Sequence, residues 1–121
     1  MYSVHEDDIP LIKLKGRSYK LLGCKETIGC MNLCAGVAFF PPGKHAPGHI
    51  HELEEEVIYC IEGKGEAVVD GMCIKIKPGI VVYFPIGSLH SINNTGKDTI
   101  KLFFTFSPIA KIGAYKNYKS K

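Results

Sequence analysis

Four side chains with the chemistry of metal ligands occur in two short stretches of the sequence. His49 and His51 lie two residues apart in the first stretch, Glu56 follows them closely, and His90 lies in the second. In an extended strand, residues two apart share one face, so His49 and His51 can direct two imidazoles to one place. Neutral imidazoles and a carboxylate form a ligand set that suits Zn, Mn, Fe, Co or Ni. The two stretches therefore predict a site for one divalent transition metal.

Glycines and a proline frame these residues at regular distances. In the first stretch, five residues separate Gly43 from His49, four separate His51 from Glu56, and six separate Glu56 from Gly63. In the second, five residues separate Gly79 from the turn Pro85-Ile86-Gly87, two separate that turn from His90, and three separate His90 from Asn94. Any one of these residues alone is common in loops and strands. Together they form a pattern that a single histidine or turn would not give.

This pattern resembles the two motifs of the cupin superfamily, with the first at 43–63 and the second at 79–94. The resemblance implies an all-β fold, an antiparallel double-stranded β-helix or jelly-roll barrel, formed by residues 1–121 as a single domain. It also implies that His49, His51, Glu56 and His90 bind one divalent metal inside the barrel. Glu55 is a neighbouring carboxylate, but both the spacing and the strand parity favour Glu56.

Turn residues divide the rest of the chain into short segments rich in apolar and β-branched residues, which is typical of antiparallel sandwiches and barrels. No segment before residue 108 has sustained helical periodicity. Asp70-Gly71 predicts a two-residue hairpin. The basic tail at 108–121 is interpreted as solvated or as a short C-terminal helix packed on the barrel rim. Strands are expected at 10–15, 19–24, 32–40, 57–61, 66–69, 72–77, 80–84 and 99–106.

Strand parity suggests which side chains surround the metal. Counting from Glu56, Ile58 and Cys60 face inward. In the last strand, either Leu102, Phe104 and Phe106 or Phe103 and Thr105 face the metal, and the sequence leaves both sets open. The resulting wall is largely apolar, and candidates within it for a further role are Cys60, Phe104, Tyr59 and His45, with Phe84 and Phe39 as additional wall residues.

Composition narrows the class of protein. The net charge is only +3, which argues against nucleic-acid binding. The uncharged run 27–43 is broken by glycines and prolines and is unsuited to a membrane span. Five cysteines without a CxxC pair predict small buried hydrophobes in a reducing cytoplasm, not disulfides. Acidic residues at 6–8 argue against a signal peptide. Arg17 is the one arginine beside fourteen lysines, so it alone could grip an anion in planar, bidentate fashion.

Four ligands leave coordination positions open, which is typical of a catalytic metal. The resemblance implies several reactions: a dioxygenase acting on an enol, diketone or aromatic compound, or an isomerase or lyase that acts through an enolate. A non-catalytic cupin that binds or senses a small ligand such as a sugar is the alternative. The fold does not choose among these functions.

A strand outside the two motifs points to self-association. Leu11 and its neighbours alternate with Lys13 and Lys15, so the first strand has apolar residues to bury and open backbone groups at its edge. Similar cupins form dimers through N-terminal strands. A homodimer is therefore expected, with residues 9–24 in the interface and Tyr19 or Cys24 near it.

Overall fold

The computed structural model describes residues 2–108, which form ten β-strands and two single helical turns. A 3₁₀ turn covers Glu6–Asp8, and an α-helical turn covers Lys25–Ile28, where the sequence alone showed no helical period. The strands are β1 (Ile12–Leu14), β2 (Arg17–Gly23), β3 (Cys34–Phe40), β4 (His49–Ile50), β5 (Glu55–Glu62), β6 (Gly65–Val69), β7 (Met72–Ile76), β8 (Val81–Phe84), β9 (Leu89–Asn93) and β10 (Ile100–Ser107).

The strands form two antiparallel sheets. The larger sheet has the order β1-β2-β3-β10-β5-β8, and the smaller has the order β4-β9-β6-β7. Every strand pair is antiparallel. After β3 the chain passes repeatedly between the sheets, with β6 and β7 forming a hairpin within the smaller one, which gives the jelly-roll arrangement. The all-β fold expected from the sequence is thus confirmed. The tail beyond Pro108, with its expected helix, lies outside the described residues.

Both sheets contribute to one hydrophobic core. In β10, Ile100, Leu102, Phe104 and Phe106 alternate with more exposed residues and are all buried. Residues two apart in a strand share a face, so one side of β10 packs against the core along its whole length. The smaller sheet faces it with buried residues such as Ile92. These two faces enclose the interior in which the histidines lie.

Glycines with positive φ make the turns between these strands. Gly43, Gly63, Gly79 and Gly87 all have φ between 74° and 98°, as expected for motif glycines at strand ends. The predicted hairpin at Asp70-Gly71 is also present, because both residues have positive φ and Val69 pairs with Met72. Positive φ at both central residues suits the twist of a two-residue hairpin.

The cysteines agree with the sequence expectation in all but one respect. None of the five forms a disulfide in the described part of the chain, and Cys24, Cys34 and Cys60 are buried as small hydrophobes. Cys30 is only partly buried, and Cys73 is exposed, because it shares the outer face of the edge strand β7 with Lys75. The Cys73 thiol lies 3.0 Å from Glu66 Oε2. Within residues 2–108, no helix is long and apolar enough to span a membrane.

Candidate metal centre

Three strand segments bring the four candidate ligands together. His49 in β4 pairs directly with His90 in β9, so the two imidazoles leave neighbouring strands of the smaller sheet side by side. His51 follows β4, and Glu56 projects from β5 in the larger sheet. One ligand atom from each residue lies within 4.8 Å of the others. The cluster therefore spans the gap between the two sheets.

Glu56 lies at the centre of this cluster. Its Oε1 atom is 3.3 Å from His51 Nε2 and 3.5 Å from His90 Nε2. The rings of His49 and His90 are 4.4 Å apart between centroids. Glu55 points to the outer side, where its carboxylate accepts a hydrogen bond from the Tyr83 hydroxyl at 2.8 Å. The structure thus places Glu56, not Glu55, beside the histidines.

Contacts on the side away from the cluster hold the imidazoles of His51 and His90 in place. His90 Nδ1 lies 3.2 Å from the Ser88 carbonyl oxygen, which leaves Nε2 directed at the cluster. The Phe84 ring stacks on the His90 ring with centroids 4.2 Å apart and planes 8° from parallel. His51 Nδ1 lies 3.3 Å from Oε1 of the buried Glu54. Such contacts fix which nitrogen of an imidazole is free to bind a metal.

Burial and neighbouring charges set the protonation of the cluster. Burial, reinforced by the charges of His90, Arg17 and His51, lowers the pKa of His49 to about 4. Burial alone would raise the pKa of Glu56, but its contacts with His51 and His90 outweigh that effect and lower the pKa to about 2. His49 is therefore neutral and Glu56 ionised near pH 7, the forms in which both residues bind metals.

Two imidazole nitrogens in the cluster form no hydrogen bond in the described part of the chain, although His90 Nε2 lies 3.5 Å from Glu56 Oε1. His49 Nδ1 and His90 Nε2 are buried and make no hydrogen bond to any residue in the range 2–108. A buried polar atom without a partner costs free energy, so it calls for a ligand. Three imidazole nitrogens and one carboxylate oxygen so close together fit a divalent transition metal. The donor set does not distinguish among iron, manganese, nickel, zinc and cobalt.

A cavity of about 210 Å³ opens onto the four candidate ligands. Its volume is below that of pockets for drug-sized molecules, so it suits a smaller ligand. Of the two alternatives for the last strand, the structure selects Leu102, Phe104 and Phe106, and Phe84 also lines the cavity as expected. The other apolar wall residues are Leu14, Tyr19, Ala38, Phe40, Ala46, Pro47, Ile50, Ile58 and Ile92.

Three of the four further candidates do not line this cavity. Tyr59 is 45% exposed, because it follows the inward-facing Ile58 and points to the outer side of β5. Cys60 is buried, but it lies deeper along β5, with its sulfur 3.5 Å from the Glu62 carbonyl oxygen. His45 is exposed and contacts the Asn93 side chain at 3.2 Å. Only Phe104 is part of the wall.

The wall expected at Phe39 is formed by its neighbour. Phe39 lies on the other side of β3, where the Lys101 ammonium is 5.7 Å from its ring centroid, and Phe40 faces the cavity. Tyr19 and Cys24, expected near a dimer interface, are both buried in the core of this chain. Strand alternation carries Phe39 to the face opposite the expected one.

Sequence reasoning also left two functional candidates unassigned. Arg17 lines the cavity at the start of β2, whereas the sequence identified it as the one arginine able to grip an anion but did not place it in the site. Burial lowers the pKa of its guanidinium, and the charge of Glu56 opposes that shift. Glu54 is 3% exposed and contacts His51, whereas the acidic run around it reads as a solvated loop. No periodic pattern marks either residue.

Comparisons with known proteins agree on one family. The family model of the cupin domain matches residues 36–106, more than half of the chain. The chain is 28% identical over 96 residues to polyketide synthase CurC of Streptomyces cyaneus, covering 79% of this chain and 62% of that protein. It is 38% identical over 61 residues to an oxalate-binding protein of Thermotoga maritima, covering 50% of each chain. The chain thus spans less than two thirds of the length of these curated relatives.

Solved structures share the fold over most of the chain. A predicted oxalate decarboxylase from Thermotoga maritima superposes with a TM-score of 0.78 and 25% identity, covering 88% of this chain and 98% of that one. The polyketide cyclase RemF from Streptomyces resistomycificus superposes with a TM-score of 0.77 and 21% identity, covering 98% of this chain and 91% of that one. The second likeness establishes a common architecture only.

Proposed function

Because the chain belongs to the cupin family and gathers three histidines and a glutamate at a cavity wall, we propose that it is a metal-dependent enzyme acting on a small, oxygen-bearing organic substrate. The single observation that carries this proposal is the position of the four ligands at the surface of an accessible cavity. A structural metal would be enclosed by its ligands, whereas a catalytic one keeps a position open toward the substrate.

The chain's residues would have distinct tasks in such a site. His49, His51, Glu56 and His90 would hold the metal, with Glu56 contributing the one negative charge. Bound there, the metal would supply Lewis-acid chemistry toward substrate oxygens or, in the case of iron, reactivity toward dioxygen. The apolar wall that includes Phe104 would orient the substrate body and exclude water, which strengthens electrostatic interactions in the cavity.

The names of relatives support chemistry on small oxygen-bearing compounds. They include a polyketide synthase and, at 35% identity over 51 residues, quercetin 2,3-dioxygenase of Bacillus subtilis, which covers 42% of this chain and 15% of that protein. Both a dioxygenase and an isomerase or lyase fit the same cavity. A second candidate function is ligand binding without turnover, which the name of the oxalate-binding relative supports.

Metal analysis of untagged protein, combined with oxygen uptake, separates these functions. We would measure bound metals by mass spectrometry and then follow oxygen consumption and product formation with a flavonol, a 1,3-diketone and a catechol. Iron with oxygen uptake supports the dioxygenase. Zinc, nickel or manganese with product formation but no uptake supports the isomerase or lyase. Ligand binding without any product supports the binding protein.

Two histidine variants provide the matched comparison for the metal itself. His90→Ala removes one of four ligands, and we expect metal content to fall to less than half of the wild-type stoichiometry. His45→Ala removes an exposed histidine outside the cavity and should leave metal content unchanged. A wild-type protein that binds no divalent transition metal, even after incubation with each, would overturn the proposed function.

A further inference from the structure

The first residue of β2 brings a guanidinium into the cavity. Arg17 shares a strand face with Tyr19 and Leu21, which are 2% and 1% exposed, so its side chain points inward at the rim of the barrel. It lines the same cavity as His49 and Glu56. Its charge contributes to the low pKa of His49, which agrees with this proximity. Arg17 is therefore directed at the space in front of the candidate ligands.

The turn before Arg17 fixes this position. Gly16 has a φ of +77°, and a Cβ atom added there would lie 2.8 Å from the His45 carbonyl oxygen and 3.0 Å from Ala46 Cα. The tip of the β1–β2 hairpin thus packs directly on the backbone that leads to His49. A side chain at position 16 would force the two segments apart. The close approach couples the place of Arg17 to that of the metal ligands.

The hydrogen-bonding capacity of Arg17 is unused within residues 2–108. Its guanidinium forms no ion pair or hydrogen bond with residues 2–108. Glu56 is the acid whose charge acts on the pKa of Arg17, but its Oε1 atom contacts His51 and His90 instead. Arginine carries five N–H donors in a planar fork that matches a carboxylate. Elsewhere the chain uses lysines for its positive charges. The single arginine therefore lies where it can bind a ligand in the cavity.

Charge balance indicates the sign of that ligand. A divalent metal with three neutral imidazoles and the Glu56 carboxylate has a net charge of +1, which the buried Glu54 carboxylate on the far side of His51 offsets. The charge of Arg17 then remains unbalanced in the cavity. Most of the remaining wall is apolar and offers no counter-charge. Unbalanced charge in such surroundings is unfavourable, so an anionic ligand that neutralises it is favoured.

From this geometry we propose that Arg17 binds the carboxylate of the substrate, which makes the substrate class small organic acids with an apolar or aromatic body. The carboxylate would lie against the guanidinium in bidentate fashion, with the body against Phe104 and its neighbours. A further substrate oxygen would then face the candidate ligands. This inference rests on the proposed function, because the positive charge of the cavity includes that of the metal.

Calorimetric titration with matched acids and amides tests the proposal. Acetate, benzoate and phenylacetate would be titrated into metal-loaded wild-type protein beside acetamide, benzamide and phenylacetamide, with inorganic phosphate as a separate oxyanion. We expect at least one acid to bind about tenfold or more tightly than its amide, the effect of one charge-assisted contact. Arg17→Met should abolish that preference. If Arg17→Met impairs folding, Arg17→Lys replaces it in the test. Lysine keeps the positive charge and the aliphatic stem but not the planar fork, so the preference for acids should fall several-fold.

A variant on the same hairpin serves as the control. Lys13→Met removes one positive charge from the exposed side of β1 and should leave the preference for acids unchanged. The proposal is overturned if no acid binds, if phosphate binds more tightly than every acid, or if Arg17→Met binds acids like the wild type. Metal content is measured in the same samples. A wild type without metal would indicate failure of the proposed function, whereas normal metal without an Arg17 effect would indicate failure of this inference alone.

Discussion

Single residues behind the candidate ligands decide how well the cluster is organised. His51 lies between two carboxylates, with Nδ1 3.3 Å from Glu54 and Nε2 3.3 Å from Glu56. Glu54 is buried, and apart from this contact its Oε1 atom has no partner in the described chain. A carboxylate on the far nitrogen of an imidazole fixes the tautomer and increases the basicity of the other nitrogen. Glu54 is thus a positioning residue for His51.

Glu54→Gln tests this role at the cost of very little volume. The amide keeps the shape of the side chain but removes its charge, so we expect affinity for the metal to fall by about tenfold or more. Competition with a chromogenic chelator for Zn²⁺ measures the change. Glu52→Gln, an exposed neighbour in the same acidic run, is the control and should bind Zn²⁺ like the wild type. Equal affinities in both variants would show that Glu54 has no such role.

The sequence could predict which residues approach the metal but not everything around them. Motif spacing identified the four residues that the structure brings together because the spacing matches the family motifs; local geometry alone would not, since β4 and β9 lie in one sheet and β5 in the other. Strand parity correctly turned Ile58 and Cys60 inward, but parity gives the face of a strand and not the depth along it. Cys60 therefore lies beyond the cavity. Arg17 reaches the site only through packing between distant segments, which no local pattern reveals.

At the scale of elements, the turns differ in how much they depend on glycine. Gly43 and Gly63 both have positive φ, but a Cβ atom at Gly43 would meet no atom within 4 Å. At Gly63 it would lie 2.7 Å from both Ile100 Cα and the Thr99 carbonyl oxygen. These are backbone atoms of the segment that leads into the central strand β10. The turn at Gly63 therefore requires glycine both for its positive φ and for the lack of space for a Cβ atom.

Alanine at these two positions should separate the two requirements. Gly43→Ala adds only the conformational cost of a left-handed residue, about 1 kcal/mol. Gly63→Ala adds the displacement of backbone as well, and we expect the free energy of unfolding to fall by more than ~2 kcal/mol. Urea titration followed by circular dichroism measures both. Equal losses in the two variants would contradict the steric part of this prediction.

Strand positions were predictable because turn residues and apolar runs mark them locally. The observed β3, β8 and β10 lie within a few residues of their expected ranges. The helical turn at Lys25–Ile28 was not predicted, since four residues are too few to establish a period. It depends instead on Thr27, whose hydroxyl lies 2.6 Å from the Leu22 carbonyl oxygen and 3.1 Å from the Cys24 amide nitrogen. Side-chain caps of this kind leave no hydrophobic periodicity in the sequence by which they could be predicted.

At the scale of the molecule, two exposed surfaces offer places for self-association. Strand β1 is one of the two edge strands of the larger sheet, and the half-exposed Leu11 precedes it. On the outer side of that sheet, Phe103, Tyr59 and Val81 lie in one row across β10, β5 and β8, and all three are exposed. A strand edge and an apolar sheet face are both liable to pair with another chain.

We predict a homodimer that uses the β1 edge. Light scattering at tens of micromolar should give about twice the chain mass of 13.3 kDa. Leu11→Glu places a charge next to that edge and should shift the protein toward monomer, whereas Tyr59→Glu on the outer face should leave it dimeric. A monomeric wild type would refute the assembly. Dissociation by Tyr59→Glu alone would move the interface to the outer face.

The β1–β2 hairpin lies outside the region that matches the family model. The region 36–106 carries all four candidate metal ligands, whereas Arg17 and Gly16 precede it. The proposed carboxylate contact thus lies outside the stretch that carries the proposed metal ligands, whereas the apolar wall around Phe104 lies within it. If the preference for acids depends on Arg17, replacing this hairpin with one that lacks the arginine would remove the preference and leave the metal ligands in place. Sequence similarity over the barrel motifs alone would then not indicate that two cupins bind the same ligand.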